Sequence, residues 1–202
     1  MTENPAAVIP ELALVAGAVL GLLLGSWLPR RRQWLVRLLA LAACVAGLAT
    51  AALAMRHDPQ LVFGGYAVDT ATHAGRIIVL AATLLVICLS VDTVHGHRRE
   101  TEFYVLLLLG ALGTIVLVGA SDLLLIAAGY LLASIPLYAL AGFGKDAPGT
   151  EAALKYYLMG ALLGVSMLAG ITILYGAGGA TGYAALAQSL PDAPQPAVAV
   201  GL

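Results

Sequence analysis

The chain has 202 residues, of which 61% are hydrophobic and only 10% charged, with a net charge of −1 and a mean hydropathy of +0.95. Water-soluble domains carry roughly 25% charged residues, so a soluble globule is excluded and bilayer hydrocarbon is the solvent that fits. The near-zero charge offers no electrostatic footprint for nucleic acid.

In chain order, the residues before the first apolar run, Met1 to Pro5, hold Glu3 and no Lys or Arg. The basic cluster follows that run, so the first segment reads as a retained span and not as a cleaved leader. Six stretches are long enough to cross a bilayer: 7–28, 38–55, 71–91, 103–120, 123–143 and 152–175. The fold class is therefore an all-α integral membrane protein of about six transmembrane helices. Residues 176–196 read as an extracytoplasmic loop: Gly176, Gly178, Gly179 and Gly182 mark a turn, Tyr183–Leu190 forms a short interfacial helix, and Pro191, Pro194 and Pro196 end it. A further apolar run opens at Ala197, so the chain reads as one domain truncated at the start of a seventh helix.

The connections alternate in charge. Arg30, Arg31, Arg32 and Arg37 flank the first, Arg98 and Arg99 the third, and Lys145 the fifth; Arg56 and Arg76 are the only basic residues around the others. The positive-inside rule places the first set in the cytoplasm and the N-terminus outside. Gly17, Gly21 and Gly25 share one face of span one, as Gly160 and Gly164 do in span six, and such faces let helix backbones approach closely. Cys44 and Cys88 lie in two separate spans with no metal-type spacing and read as small apolar-facing residues.

Ionisable groups inside a bilayer are expensive and mark candidate function. Lys155 lies about four residues, ~6 Å, into span six. It reads either as a lysine snorkelling to the interface or as a protonatable amine in a proton path, where exclusion of water favours the neutral form. Thr150 is the expected N-cap of this span, and Glu151 lies four residues before Lys155, in reach of a helical ion pair. Pro136 interrupts span five; it marks a kink, either for packing or beside a wet cavity. His73 and Arg76 share a face at the start of span three and read as solvated or anchoring residues at the outer interface. Glu11 is expected to reach the outer surface, Asp122 to cap span five, and His95 and His97 to sit in a basic loop without a metal. Phosphate loops, dinucleotide fingerprints, zinc spacings and nucleophile elbows are absent from the sequence.

The stretches EFYVLLLLGALGTIVLVGASDLLLI, SIPLYALAGF and EAALKYYLMGALLGVSMLAGITILYG, with Val68–Asp69 and TGYAALAQSL beside them, resemble subunit N of bacterial NADH–quinone oxidoreductase, one of the antiporter-like subunits. The resemblance covers roughly Gly64 to the end. It implies the N-terminal portion of a subunit of about fourteen helices, in the bacterial cytoplasmic membrane, beside other membrane-arm subunits. The implied function is proton translocation coupled to electron transfer from NADH to quinone. The chain would be an enzyme only as part of that complex. NADH, flavin and iron–sulfur clusters are then expected in partner subunits, quinone in the complex, and no cofactor in this chain. Lys155 matches the family's buried lysine. The glutamate the family usually carries in span five is replaced by Leu131, which removes the lysine's partner. That replacement favours an alternative, a non-pumping structural or assembly paralogue; the SxP and lysine pattern is also shared by a further alternative, a subunit of a related cation/proton antiporter or membrane-bound hydrogenase.

Overall fold

The computed structural model describes residues 5–29, 32–56 and 58–202. Arg30 and Arg31 of the first basic connection, and Met1–Asn4 with Glu3, lie outside the described residues. Among the described residues six helices are long and apolar enough to cross a membrane. They are α1 (Ile9–Trp27, preceded by a 3-10 turn at Pro5–Val8), α2 (Trp34–Ala54), α3 (Thr70–Leu89), α5 (Glu100–Gly119), α6 (Leu123–Ala141) and α7 (Ala147–Gly178). A single turn, α4 (Val91–Val94), follows α3, and two short helices, α8 (Tyr183–Ser189) and α9 (Gln195–Gly201), follow α7.

The helices begin where side chains supply acceptors for the free amides of the first turn. The Asp69 carboxylate accepts from Thr72 N at 2.8 Å, Asp122 from Leu124 N at 2.8 Å, and Asp146 from Gly149 N at 2.9 Å. The last of these corrects the expected start of the sixth span. Thr150 is not the cap; its hydroxyl donates back to the Asp146 carbonyl inside a helix that starts at Ala147. At the other end of α7, Gly179 takes the left-handed conformation (φ 68°) and its amide closes on Tyr175 O.

α5 is the centre of the bundle, packed by α1, α2, α3 and α6. Its Tyr104, Leu108 and Ile115 are buried with Leu14, Ala40, Cys44, Leu80 and Ile87. The glycine face of α1 is what brings these helices together: a Cβ on Gly17 would lie 2.6 Å from Ala43 Cβ, and one on Gly25 would lie 2.2 Å from Thr101. α7 packs mainly on α6 and leaves most of its length outside the core.

A β-hairpin that the hydropathy reading does not reveal joins α2 to α3. β1 (Gln60–Val62) and β2 (Tyr66–Val68) pair antiparallel in the register Gln60–Val68 and Val62–Tyr66. Phe63 and Gly64 at its tip are both left-handed, φ 52° and 69°. The hairpin lies at the bundle end where α3 and α6 begin. There Ser121 N donates to Gly65 O (2.9 Å), and Leu123 N and Tyr183 N bond Thr181 O and Ser121 O (2.9 and 3.0 Å). One run of backbone bonds thus links the hairpin, the α5–α6 corner and the start of α8. Leu186 of α8 is buried against Leu123 and Leu174.

Candidate functional site

α7 carries the lysine singled out from the sequence. Because the helix starts at Ala147, Lys155 is more than two turns from its N-terminus, ~12 Å along the axis. Its ammonium bonds the Glu151 carboxylate one turn earlier, and both side chains face outward, 73% and 64% exposed. The structure therefore brings Lys155 and Glu151 together. Leu131 stands on α6 with a 47% exposed side chain, and Pro136 is buried in the same helix. Pro136 has no amide to donate to the Leu132 carbonyl, which loosens the turn at that point.

The face joining α6 to α7 is aromatic over glycine. Tyr130 donates its hydroxyl to Gly160 O. Tyr138 packs edge-on against Tyr156 and Tyr157, with ring centroids 5.0 and 5.8 Å away. A Cβ on Gly160 would collide with the Tyr138 ring, and one on Gly164 with Tyr130.

A second polar cluster, at the hairpin end, overturns two readings of the sequence. Arg76 is 0% exposed and Glu11 8%; neither reaches the surface. Arg76 Nε and Nη2 donate to the two Glu11 carboxylate oxygens at 2.7 and 2.9 Å, a two-pronged pair linking α3 to α1. Nη2 also donates to Ala7 O at 3.0 Å, and Nη1 lies 3.3 Å from His73 Nδ1, itself buried. From the hairpin, Tyr66 donates its hydroxyl to Glu11 at 2.6 Å and lays its ring 5.7 Å from the guanidinium carbon. Burial first, and then the adjacent carboxylate, push the Tyr66 hydroxyl well above the ordinary tyrosine range. At the start of α3, the Thr72 amide holds the Asp69 carboxyl below its usual range. The signal for this cluster lay in the sequence: one acid and one arginine, each a turn or more inside an apolar run and both at the same end of their spans, need a partner.

At the opposite, basic end, His97 stacks on Phe143 (5.1 Å), and His95 Nδ1 lies 3.8 Å from the buried Glu100. Among the described residues no group of three or more His, Cys, Asp or Glu side chains is placed to hold a metal ion.

The arrangement has relatives. A family model described as NADH:quinone oxidoreductase/Mrp antiporter, TM, matches residues 120–198. NADH-quinone oxidoreductase subunit N 1 of Streptomyces griseus is 55% identical over 202 residues, all of this chain and 43% of that protein. The structure of respiratory complex I from Thermus thermophilus with bound aureothin contains a similar chain: TM-score 0.79, 32% identity, 95% of this chain and 41% of the other. A chain of the archaeal membrane-bound sulfane sulfur reductase shares the fold at TM-score 0.88 and 18% identity. The chain thus spans about two fifths of the length of the curated relatives it matches.

Proposed function

Because this chain is a partial-length homologue of subunit N of the NADH–quinone oxidoreductases, we propose that it forms part of a membrane-arm subunit that helps carry protons across the bacterial cytoplasmic membrane as partner subunits pass electrons from NADH to quinone. In this reading the N-terminus is outside, and the basic end (Arg32, Arg98, Arg99 and Lys145) faces the cytoplasm, as the charge alternation supports. Nicotinamide, flavin, iron–sulfur clusters and quinone belong to the partners and to the assembled complex.

The observation that carries the reading is Lys155. It is an ammonium in an apolar helix, paired with a carboxylate one turn away, on a face that the described helices leave open. A charge at that depth is tolerated beside buried water or further protein, not against lipid alone. Lys155 holds a proton at Nζ and passes it on through water, and Glu151 steadies the charged form. Leu131 supplies no carboxylate from α6, so Glu151 is the acid left to do this. That same departure favours a second reading, a structural paralogue that fills the membrane arm without pumping. Lys155→Met in the parent complex separates the two. Vesicle acidification driven by NADH is expected to fall while assembly stays intact; unchanged acidification leaves only the structural role. Partners that co-purify distinguish an oxidoreductase from an antiporter or hydrogenase assembly.

A further inference from the structure

Two clefts meet at the basic end of the bundle. The first, of about 520 Å³, is lined by His97, Arg98, Arg99, Glu102 and Lys145. The second, of about 410 Å³, shares Arg99, Glu102 and Lys145 with it and continues past Leu106 of α5, Tyr138 and Ala139 of α6, and Ala153 of α7. Leu106 and Ala139 lie about one helical turn deeper than Glu102 and Phe143, so the shared wall separates a charged mouth from an apolar groove that runs into the membrane-spanning layer.

Among the described residues the charges at the mouth are only partly engaged. Arg99 is braced: its Nη2 donates to Phe143 O at 2.5 Å and its guanidinium carbon lies 4.9 Å from the Phe143 ring. A guanidinium has five N–H donors, so most of its fork stays available. Arg98 and Lys145 have exposed side chains with no hydrogen-bond or ion-pair partner among the described residues. The Lys145 backbone is held in the left-handed region (φ 54°), where a residue with a Cβ is uncommon, and its amide bonds Gly142 O. The carboxylate nearest to it in sequence, Asp146, is occupied in capping α7. Three cations thus face one carboxylate, Glu102, across the mouth.

We propose that these clefts are a binding site for one anionic glycerophospholipid. Its phosphodiester sits among Arg98, Arg99 and Lys145, and one acyl chain lies along Leu106, Ala139 and Ala153. Basic mouths joined to apolar grooves between helices are built for this chemistry, because the phosphate meets point charges at the interface while the chain replaces lipid-exposed surface. Glu102 accepts hydrogen bonds from a hydroxylated headgroup, which makes phosphatidylglycerol the natural probe.

The test uses the full-length protein in the assembly it occurs in, purified in non-ionic detergent and stripped of lipid. Phosphatidylglycerol or phosphatidylcholine is added back, and bound lipid is counted by native mass spectrometry. The expected result is one more phosphatidylglycerol than phosphatidylcholine retained per chain. Arg98→Gln with Lys145→Gln should weaken its retention roughly tenfold or more. Ala139→Trp, which fills the groove and leaves every charge in place, should lose the lipid as well, and 10 mM inorganic phosphate should not displace it. Equal retention of the two lipids overturns the proposal, as does selectivity that survives both variants. Displacement by phosphate, or loss of selectivity in Arg98→Gln/Lys145→Gln alone, means an anion site without a lipid. Selectivity that emerges only after partner subunits are removed means that an acidic partner segment fills the mouth, which also overturns it.

Discussion

Gly113 of α5 rests directly on the backbone of Ala133 in α6: a Cβ built there would lie 2.1 Å from the Ala133 nitrogen and 2.5 Å from the Leu132 carbonyl carbon. This is the turn that Pro136 loosens, and backbone cannot rotate aside as a side-chain tip can. Gly113→Ala is therefore expected to force the two helices apart and to destabilise the protein by about 1–3 kcal/mol. Gly176→Ala is the control. Apart from its chain neighbours and its own helix backbone, nothing lies within 4 Å of that Cβ position, and alanine in a helix is favoured over glycine by roughly 0.5–1 kcal/mol. Thermal unfolding in detergent should move down for the first variant and up slightly for the second.

The Glu11–Arg76 pair is expected to behave as a buried unit. Removing one partner strands the other charge, so Glu11→Leu or Arg76→Met alone should each cost about 3–5 kcal/mol, whereas the two together should recover much of the loss. If the double variant is as unstable as the sum of the singles, the two residues do not act on each other. A double-mutant cycle on the unfolding midpoint measures this directly.

Tyr66 gives the same cluster an alkaline signature. Its folded hydroxyl titrates above the ordinary value near 10, so the folded form keeps its proton after the unfolded chain has lost it. The stability it contributes is complete below about pH 10 and declines at higher pH, by up to about 1.4 kcal/mol per pH unit until the folded hydroxyl also ionises. Tyr66→Phe should flatten this alkaline limb. An unchanged limb in that variant would show that another group causes it.

Capping gives a prediction about α7. Asp146→Ala removes the acceptor for Gly149 N and should lower stability by about 1 kcal/mol. Thr150→Ala, inside the helix, should change it by a few tenths. Reversal of that order would place the functional helix start at Thr150.

The Lys155–Glu151 pair lies in the open, so Glu151→Gln should alter stability by no more than about 0.5 kcal/mol. An effect on NADH-driven acidification larger than this stability change allows would mark Glu151 as part of the proton path.

Length and hydropathy were enough to reveal the six long helices, because twenty apolar residues have few other uses. Their ends were less legible. α2 starts at Trp34 and not at Leu38, and α7 at Ala147 and not at Ala152. Backbone hydrogen bonds continue through Arg37 and Glu151, whereas an apolar count stops at them. The hairpin was hidden because its strands are three residues each and its tip relies on two left-handed residues, one of them phenylalanine. Glu11 and Arg76, weighed one at a time, each look like residues near a span's edge. Their partnership depends on two helices that only the folded chain sets side by side. Lys155 was visible as a charge in an apolar run, and its pairing with Glu151 follows from four-residue spacing alone.

The ion pair between α1 and α3 also bears on how the chain is made. Glu11 leaves the ribosome 65 residues ahead of Arg76, an interval of roughly 3–13 s at ordinary synthesis rates. During that time the first helix has neither the arginine nor the hairpin tyrosine that bond its carboxylate in the folded protein. The buried cluster at this end of the protein is therefore complete only once the third helix has been made.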